Sequence, residues 1–334
     1  MILVTGATGF VGRRLIRLLA EAYGASRILC LAYDRADNEL ERTGRSILDE
    51  AGIRYIPVDL VSGRGLGNVP KSPSLVLHLA SNTDTGASNH AVNDIGTRNL
   101  LAAIQPLSPD THFIFTSTIA VADHREDIDR PVNEETPLLR PFNDHGRSKL
   151  AAEVYLRERA RADGFRATIV RLCAVYGRGT RTGGLFERLS QMAFGDSVIA
   201  RFNYPGRLSL INVDDIARIL VLLSGRLVPS GTSELFIPVA EVATISELIQ
   251  YYYQAWGIGY RPIRFPPAFW RFCDLIANVF YRIEPILPHA VNNRIWQLGL
   301  VVGSGFHNES AKIHRTFPGL RLKRFKDGVG EMIR

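Results

Sequence analysis

The residues best suited to chemistry lie at the start of the chain. Thr5-Gly6-Ala7-Thr8-Gly9-Phe10-Val11-Gly12 follows an apolar run, Ile2–Val4, and opens a helix-forming segment, Val11–Tyr23. A G-x-x-G-x-x-G turn at a strand-to-helix junction brings unpaired backbone N–H groups and the positive end of a helix against an anion, with no side chain in the way. The chemistry that needs this is the holding of a dinucleotide pyrophosphate, and Gly6, Thr8, Gly9, Phe10, Val11 and Gly12 are its candidate contacts. The end of the second apolar run distinguishes the two nicotinamide dinucleotides: a carboxylate there bonds a ribose diol, a cation accommodates a 2′-phosphate. The stretch reads Leu31-Ala32-Tyr33-Asp34-Arg35, with the strand ending at Ala32 or Tyr33. Asp34 suits a diol, whereas Arg35 and Arg13 suit a phosphate. The absence of an acid at the strand end itself tips the reading towards NADP over NAD.

Such a turn works only if strands and helices hold it. Ile2–Val4, Ile28–Ala32, Ile53–Val58, Leu75–Leu79, His112–Ser117 and Ala167–Leu172 read as strands, alternating with helix-like stretches near Val11–Tyr23, Glu39–Ala51, Ala91–Ile104 and Ser148–Ala162. This alternation predicts an α/β fold, a doubly wound parallel sheet of the Rossmann kind covered on both faces. After Val175 the rhythm changes, with Gly177, Gly179, Gly183 and Gly184 marking a loop. Leu208–Val213 then reads as a strand returning to the main sheet, followed by a helix that Asp214 or Asp215 caps. The expected domains are residues 1–176 plus about 207–238 for the nucleotide, and about 177–206 and 239–334 for a smaller substrate-binding domain.

Six landmarks in order resemble an extended short-chain dehydrogenase/reductase of the NAD(P)-dependent epimerase/dehydratase family. They are the TGATGFVG turn, Val58-Asp59-Leu60, Leu77-His78-Leu79-Ala80-Ser81, the stretch Val92-Asn93 to Leu101 that is similar to "VNxxGTxNLL", Phe113 to Thr118, and Val213-Asp214-Asp215. The resemblance implies that Asp59 and Leu60 meet the adenine, that Leu79, Ala80, Ser81, Asn93 and Thr116 line the cofactor, and that Thr118, with Ser117 beside it, bonds the substrate oxygen. It also implies a Tyr-x-x-x-Lys pair, in which Lys lowers the Tyr pKa and holds the nicotinamide ribose while Tyr moves the proton. Here the segment is His145-Gly146-Arg147-Ser148-Lys149: Lys149 aligns and His145 replaces the Tyr. His145 is then either the acid/base, against the discouraging charge of Lys149, or a residue that packs at the helix start while the proton travels elsewhere.

The substrate half departs from the nucleotide-sugar members of the family. Leu208 stands where their diphosphate-gripping Arg is expected and Arg207 is one position early, which on a strand reverses the face. The segment is more similar to the 3β-hydroxysteroid dehydrogenase branch, with Arg178 and Arg181 left as candidate anion contacts. The function implied is hydride transfer between nicotinamide and a hydroxyl or carbonyl of an apolar or lipid-like small molecule. A nucleotide-sugar epimerase or dehydratase, and a cofactor-binding but catalytically silent sensor or assembly subunit, are the alternatives.

Composition bounds the rest. Across 334 residues, 40 Lys and Arg against 33 Asp and Glu leave +7, too little and too scattered for a nucleic-acid-binding tail. Cys30, Cys173 and Cys273 are far apart, and the histidines, His124 among them, show no ligand spacing, so no metal is expected. The chain begins without a signal-peptide pattern, and the reading is cytoplasmic. Aromatic residues from Tyr251 to Trp296, interspersed with Arg261, Arg264, Arg271 and Arg282, leave peripheral membrane contact open, as is a homodimer.

Overall fold

Runs such as Ile28 to Ala32 are apolar without alternation, so both faces of the strands they form must be covered. In the computed structural model they are. The structure describes all residues except 36–38, 123–131, 138–140, 142, 181, 283–288, 304–306, 309–310 and 334. The elements run β1 (Ile2–Thr5), α1 (Gly12–Tyr23), β2 (Ile28–Tyr33), α2 (Glu39–Glu50), β3 (Arg54–Val58), β4 (Leu75–His78), α3 (Ala91–Ala103), β5 (His112–Thr118), α4 (Asp144–Asp163), β6 (Arg166–Leu172) and β7 (Ala174–Tyr176). Then follow α5 (Leu185–Phe194), β8 (Arg207–Asn212), α6 (Val213–Ser224), β9 (Ser233–Phe236), β10 (Glu241–Thr244), α7 (Ile245–Ala255), α8 (Pro267–Arg282), α9 (His289–Val302), α10 (Ala311–Thr316) and α11 (Phe325–Gly328).

The chain divides into two units, the first comprising 1–122, 138–172 and 213–236. Its seven-stranded sheet has the order β3-β2-β1-β4-β5-β6-β9, with every pairing parallel. From β1 the chain steps towards β2 and β3, and from β4 in the opposite direction. Right-handed crossovers therefore put α1 and α3 on opposite faces, which is the doubly wound α/β arrangement. One face of the core is built from Leu3, Leu29, Phe113, Phe115, Leu100 and Leu156, all buried. Because the strand order reverses between β1 and β4, a crevice opens above their C-terminal ends. The glycine turn and the Leu79-Ala80-Ser81 segment sit there.

The second unit comprises 123–137, 173–212 and 237–334. Its sheet has the order β10-β8-β7, β8 running antiparallel to β10 and parallel to β7. The core beneath it is aromatic, with Tyr176, Phe186, Tyr252 and Phe325 all buried. Thr244 and Glu247 close a capping box at the start of α7.

Two expectations change. The strand at 207–212 pairs with β7 and β10 and belongs to the second unit, so it does not return to the main sheet; β9 does, beside β6. Three short strands, β7, β9 and β10, carried too little pattern to be expected, and β7 and β10 are what captures β8. The following helix does join the first unit, where Arg14 and Asp214 approach to 3.4 Å and Tyr23 bonds Ser224 at 2.9 Å. It begins at Val213, so Asp214 and Asp215 lie in its first turn, not at its cap.

Candidate active site

Three glycines shape the turn after β1, for different reasons. Gly6 has φ +70, and a Cβ there would lie 2.6 Å from Ala80 N. Only glycine permits both that backbone and the close approach of the segment after β4. At Gly12 a Cβ would fall 2.0 Å from Gly6 O, so the first residue of α1 must be bare for the turn to close. At Gly9 an added Cβ meets one atom, Gly6 O at 3.2 Å. The protein's own packing requires glycine there least, which leaves the ligand side as the reason for it. No side chain caps α1; Arg13 N and Arg14 N bond back to Gly9 O and Val11 O at 3.0 and 3.1 Å, while the N–H groups of Phe10, Val11 and Gly12 have no partner among the described residues. A pyrophosphate fits these features. Thr8 is less free than expected, because its hydroxyl donates to Glu41 at 2.9 Å.

The strand ends at Tyr33, one of the two positions read from the sequence. β2 pairs with β3 as far as Tyr33↔Val58, and the Asp34 N–H continues the ladder to Val58 O at 3.0 Å. Asp34 is therefore fixed as the first residue past the strand. One of its carboxylate oxygens pairs with Arg64, while Oδ1 is buried without a hydrogen bond among the described residues. Arg35 is exposed, and Arg13 holds a buried Nε without a partner among the described residues. Asp59 accepts from Val61 N and Ser62 N at 2.9 and 3.3 Å, shaping the turn after β3. Burial raises its pKa, but these N–H groups and Arg64 outweigh that and hold it below the usual range.

A buried relay joins the turn to α3. The Ala80 N–H donates to Thr5 Oγ1 at 3.1 Å, and Thr5 meets His78 Nδ1 at 2.6 Å. His78 Nε2 meets Thr97 Oγ1 at 2.9 Å, and the Thr97 hydroxyl donates to Asn93 O at 2.7 Å. That last carbonyl can only accept, which assigns every proton: Nε2–H of His78 donates to Thr97, and Nδ1 accepts from Thr5. Burial first, then the Lys149 charge, pushes His78 down to about 3, so it stays neutral.

Asn93 is fully buried and organises the residues around His145. Its Oδ1 accepts from Asn82 N and from Ser81 Oγ, both at 2.9 Å, which settles the amide's orientation. Its NH₂ donates to Asn82 O at 3.1 Å and Ser148 Oγ at 3.0 Å. α4 begins four residues earlier than expected because the Asn143 side chain caps it, accepting from Gly146 N at 2.7 Å. His145 thus lies in the first helical turn, one turn before Lys149, buried at 6% exposure. Its Nδ1 faces Asn82 O at 3.1 Å and so carries the proton; Nε2 is a bare acceptor without a partner among the described residues. Burial, Lys149 and His90 together push the imidazole down to about 3.

Lys149 is buried at the centre of the first unit. Nζ donates to Thr116 O at 2.8 Å and lies 4.5 Å from the centroid of the Phe115 ring. Burial lowers it to about 7, with Glu153 pulling it back upward. Glu153 is held by Arg171 through two bonds of 3.0 and 2.8 Å, both side chains buried. Sequence reasoning missed this pair, although the spacing 145, 149, 153 on one helix face carries the signal. It also missed Asn82 and His90, whose loop has no periodic pattern.

Thr118, at the end of β5, is half-buried, and its Oγ1 accepts from Ala120 N at 3.2 Å, which leaves its proton to be donated elsewhere. Thr116 instead donates to His78 O at 3.2 Å, and Ser117 Oγ is buried without a bond among the described residues. Arg178 and Arg207 are exposed residues of the second unit, and Leu208 is buried, as is the rest of β8 to Asn212. Arg181 and His124 lie outside the described residues. Among the described residues no three His, Cys, Asp or Glu side chains converge as metal ligands.

Comparison with known proteins bears on the family and the fold. The Caulobacter vibrioides ceramide reductase is 29% identical over 66% of the chain and 60% of its own length. A 3β-hydroxysteroid dehydrogenase/Δ5→4-isomerase of Mycobacterium tuberculosis is 27% identical over 70% of the chain and 62% of its own length. The chain spans 6% of a hybrid PKS-NRPS synthetase of Xenoacremonium sinensis, at 26% identity over 70% of the chain. It thus spans under two thirds of each of these relatives. Among solved structures, UDP-glucuronic acid 4-epimerase from Bacillus cereus, in complex with UDP-glucuronic acid and NAD, superposes with a TM-score of 0.71 at 18% identity, covering 99% of this chain and 96% of that one. The Thermus thermophilus UDP-glucose 4-epimerase complex with NAD gives 0.69 at 19%, covering 99% and 97%. The family model described as the NAD dependent epimerase/dehydratase family matches residues 2–234, and the chain belongs to that family.

Proposed function

We propose that the protein is an NAD(H)-dependent oxidoreductase acting on a hydroxyl or carbonyl of an apolar or lipid-like small molecule. The observation that carries this is the pairing of a half-buried hydroxyl, Thr118, whose proton has no acceptor among the described residues, with a buried ammonium, Lys149, anchored two residues away on the Thr116 carbonyl. A bound nicotinamide supplies or accepts the hydride. Thr118 donates its hydrogen bond to the reacting oxygen, and Lys149 uses its remaining N–H groups on the nicotinamide ribose. With the proton of His145 committed to Asn82 O, its Nε2 accepts a hydrogen bond from an alcohol and orients it; it has no proton to give a carbonyl. Lys149, near neutrality, is the group with a proton to exchange.

Asp34, the first residue past β2, with Oδ1 unbonded among the described residues, favours a ribose diol and hence NAD, reversing the lean to NADP. An apolar substrate is supported by Leu208, buried where the nucleotide-sugar enzymes' Arg is expected, and by the names of the ceramide and hydroxysteroid relatives. The test is transfer of deuterium from labelled NADH to a panel of long-chain and sterol ketones. Label in the alcohol carbon supports the reading. Tight NADH binding with no transfer to any carbonyl, or transfer only with nucleotide-sugar ketones, refutes it.

A further inference from the structure

Helix α8 of the second unit is apolar on two sides. Trp270 and Ala277 are buried, yet Phe269, Phe272, Leu275, Ile276, Val279 and Phe280 are exposed, Phe272 and Leu275 at 61% and Val279 at 57%. At about 100° per residue these six fall within an arc of about 140°, a continuous stripe and not scattered single exposures. Such a stripe on a water-facing helix marks a surface with a partner. The segment that carries it is basic. Residues 257–282 contain four Arg and one Asp. Arg261, Arg264 and Arg271 are exposed and form no ion pair among the described residues. Arg271 stands directly beside the apolar arc. No helix among the described residues is long and apolar enough to cross a membrane.

We infer that α8 docks the protein on an anionic bilayer surface, its aromatic and aliphatic stripe entering the acyl boundary while the three arginines meet lipid phosphates. A second copy of the chain fits less well, because a two-fold interface through this stripe would bring the same unpaired arginines towards one another. The inference concerns where the protein resides and is independent of the alcohol or ketone it converts.

The experiment is co-sedimentation of the full chain with vesicles of phosphatidylglycerol and phosphatidylcholine, against phosphatidylcholine alone. The wild type sediments with the anionic vesicles and is released by high salt. Phe272→Ser/Leu275→Ser/Val279→Ser weakens binding by at least about 100-fold, since three exposed apolar side chains no longer enter the lipid. Arg261→Gln/Arg264→Gln/Arg271→Gln, which leaves the stripe intact, weakens it by about fivefold per arginine, about 100-fold together. Circular dichroism checks that each variant is folded. Failure of the wild type to sediment with anionic vesicles overturns the inference, as does unchanged sedimentation of either folded variant. A wild-type dimer that the serine variant splits into monomers, without vesicle binding, assigns the stripe to a second copy and overturns it equally.

Discussion

Replacing His145 by Phe separates two ways of moving a proton. The imidazole is held down to about 3 by burial, by Lys149 and by His90. At pH 7 the imidazolium is then about 10⁻⁴ of the population, and forming it costs about 5 kcal/mol. General acid–base catalysis contributes about 10²- to 10⁴-fold, or about 3 to 5 kcal/mol, so an acid at this position would return no more than it cost. What His145→Phe removes is one neutral hydrogen bond to the substrate, worth about 0.5 to 1.5 kcal/mol, or about 2- to 12-fold in kcat/KM. The exposed partner is not orphaned, because Asn82 O still accepts from Asn93 at 3.1 Å. Lys149→Met, in contrast, removes the buried ammonium and should cost about 10²-fold or more. The assay is NADH oxidation with a reducible ketone across pH, together with ¹⁵N-resolved imidazole spectra. Wild-type carbonyl reduction should fall above a pH of about 7 as Lys149 loses its proton, and His145 should stay neutral, protonated on Nδ1, down to a pH of about 5. A loss beyond about 10²-fold in His145→Phe with unchanged NADH affinity, or a His145 titration midpoint near 6, would refute the reasoning.

Gly6→Ala places a Cβ 2.6 Å from Ala80 N at φ +70, so it should destabilise the fold by about 2 kcal/mol or more and weaken NADH binding, read by thermal melting and fluorescence titration. A wild-type melt and affinity would show that the turn relaxes. Asp34→Asn should raise the dissociation constant for NADH about tenfold, about 1.4 kcal/mol, without weakening NADPH; equal losses for both would remove Asp34 from the ribose. The neutral histidines His78, His112 and His145, pushed down to about 3, 4 and 3, should make the protein acid-sensitive. Unfolded, they bind protons from pH 6.5 downward; folded, they do not until near pH 4 to 3. Stability is thus fully present above 6.5 and falls with pH, by up to about 1.4 kcal/mol per pH unit for each, and identical urea midpoints at pH 7 and pH 5 would count against it. Arg171→Leu should cost about 3 to 5 kcal/mol by stranding the buried Glu153 carboxylate, whereas a melting temperature equal to wild type would show that Arg157, 3.8 Å from Glu153, suffices.

What the sequence determined by itself is local in origin. Continuous apolar runs specify buried parallel strands, and the strand–glycine turn–helix order specifies the anion site, because both follow from backbone geometry within about twenty residues. The alignment of Lys149 and Thr118 with the family's landmarks needed no coordinates either. The pairing of β8 did not follow, since its partners β7 and β10 are three and four residues long and their pattern is too brief to read. The setting of Asp34 was decided by its N–H bonding Val58 O, a contact across 24 residues that fixes the carboxylate just past the end of β2. The character of His145 was likewise tertiary. Its neighbours Asn82, His90 and Asn93 come from a different loop and helix, and only their convergence decides which ring nitrogen carries the proton and how far burial suppresses its charge. The sequence names the titratable groups; their protonation states belong to the packed structure, because desolvation and the nearest charges are set by residues far apart in the chain.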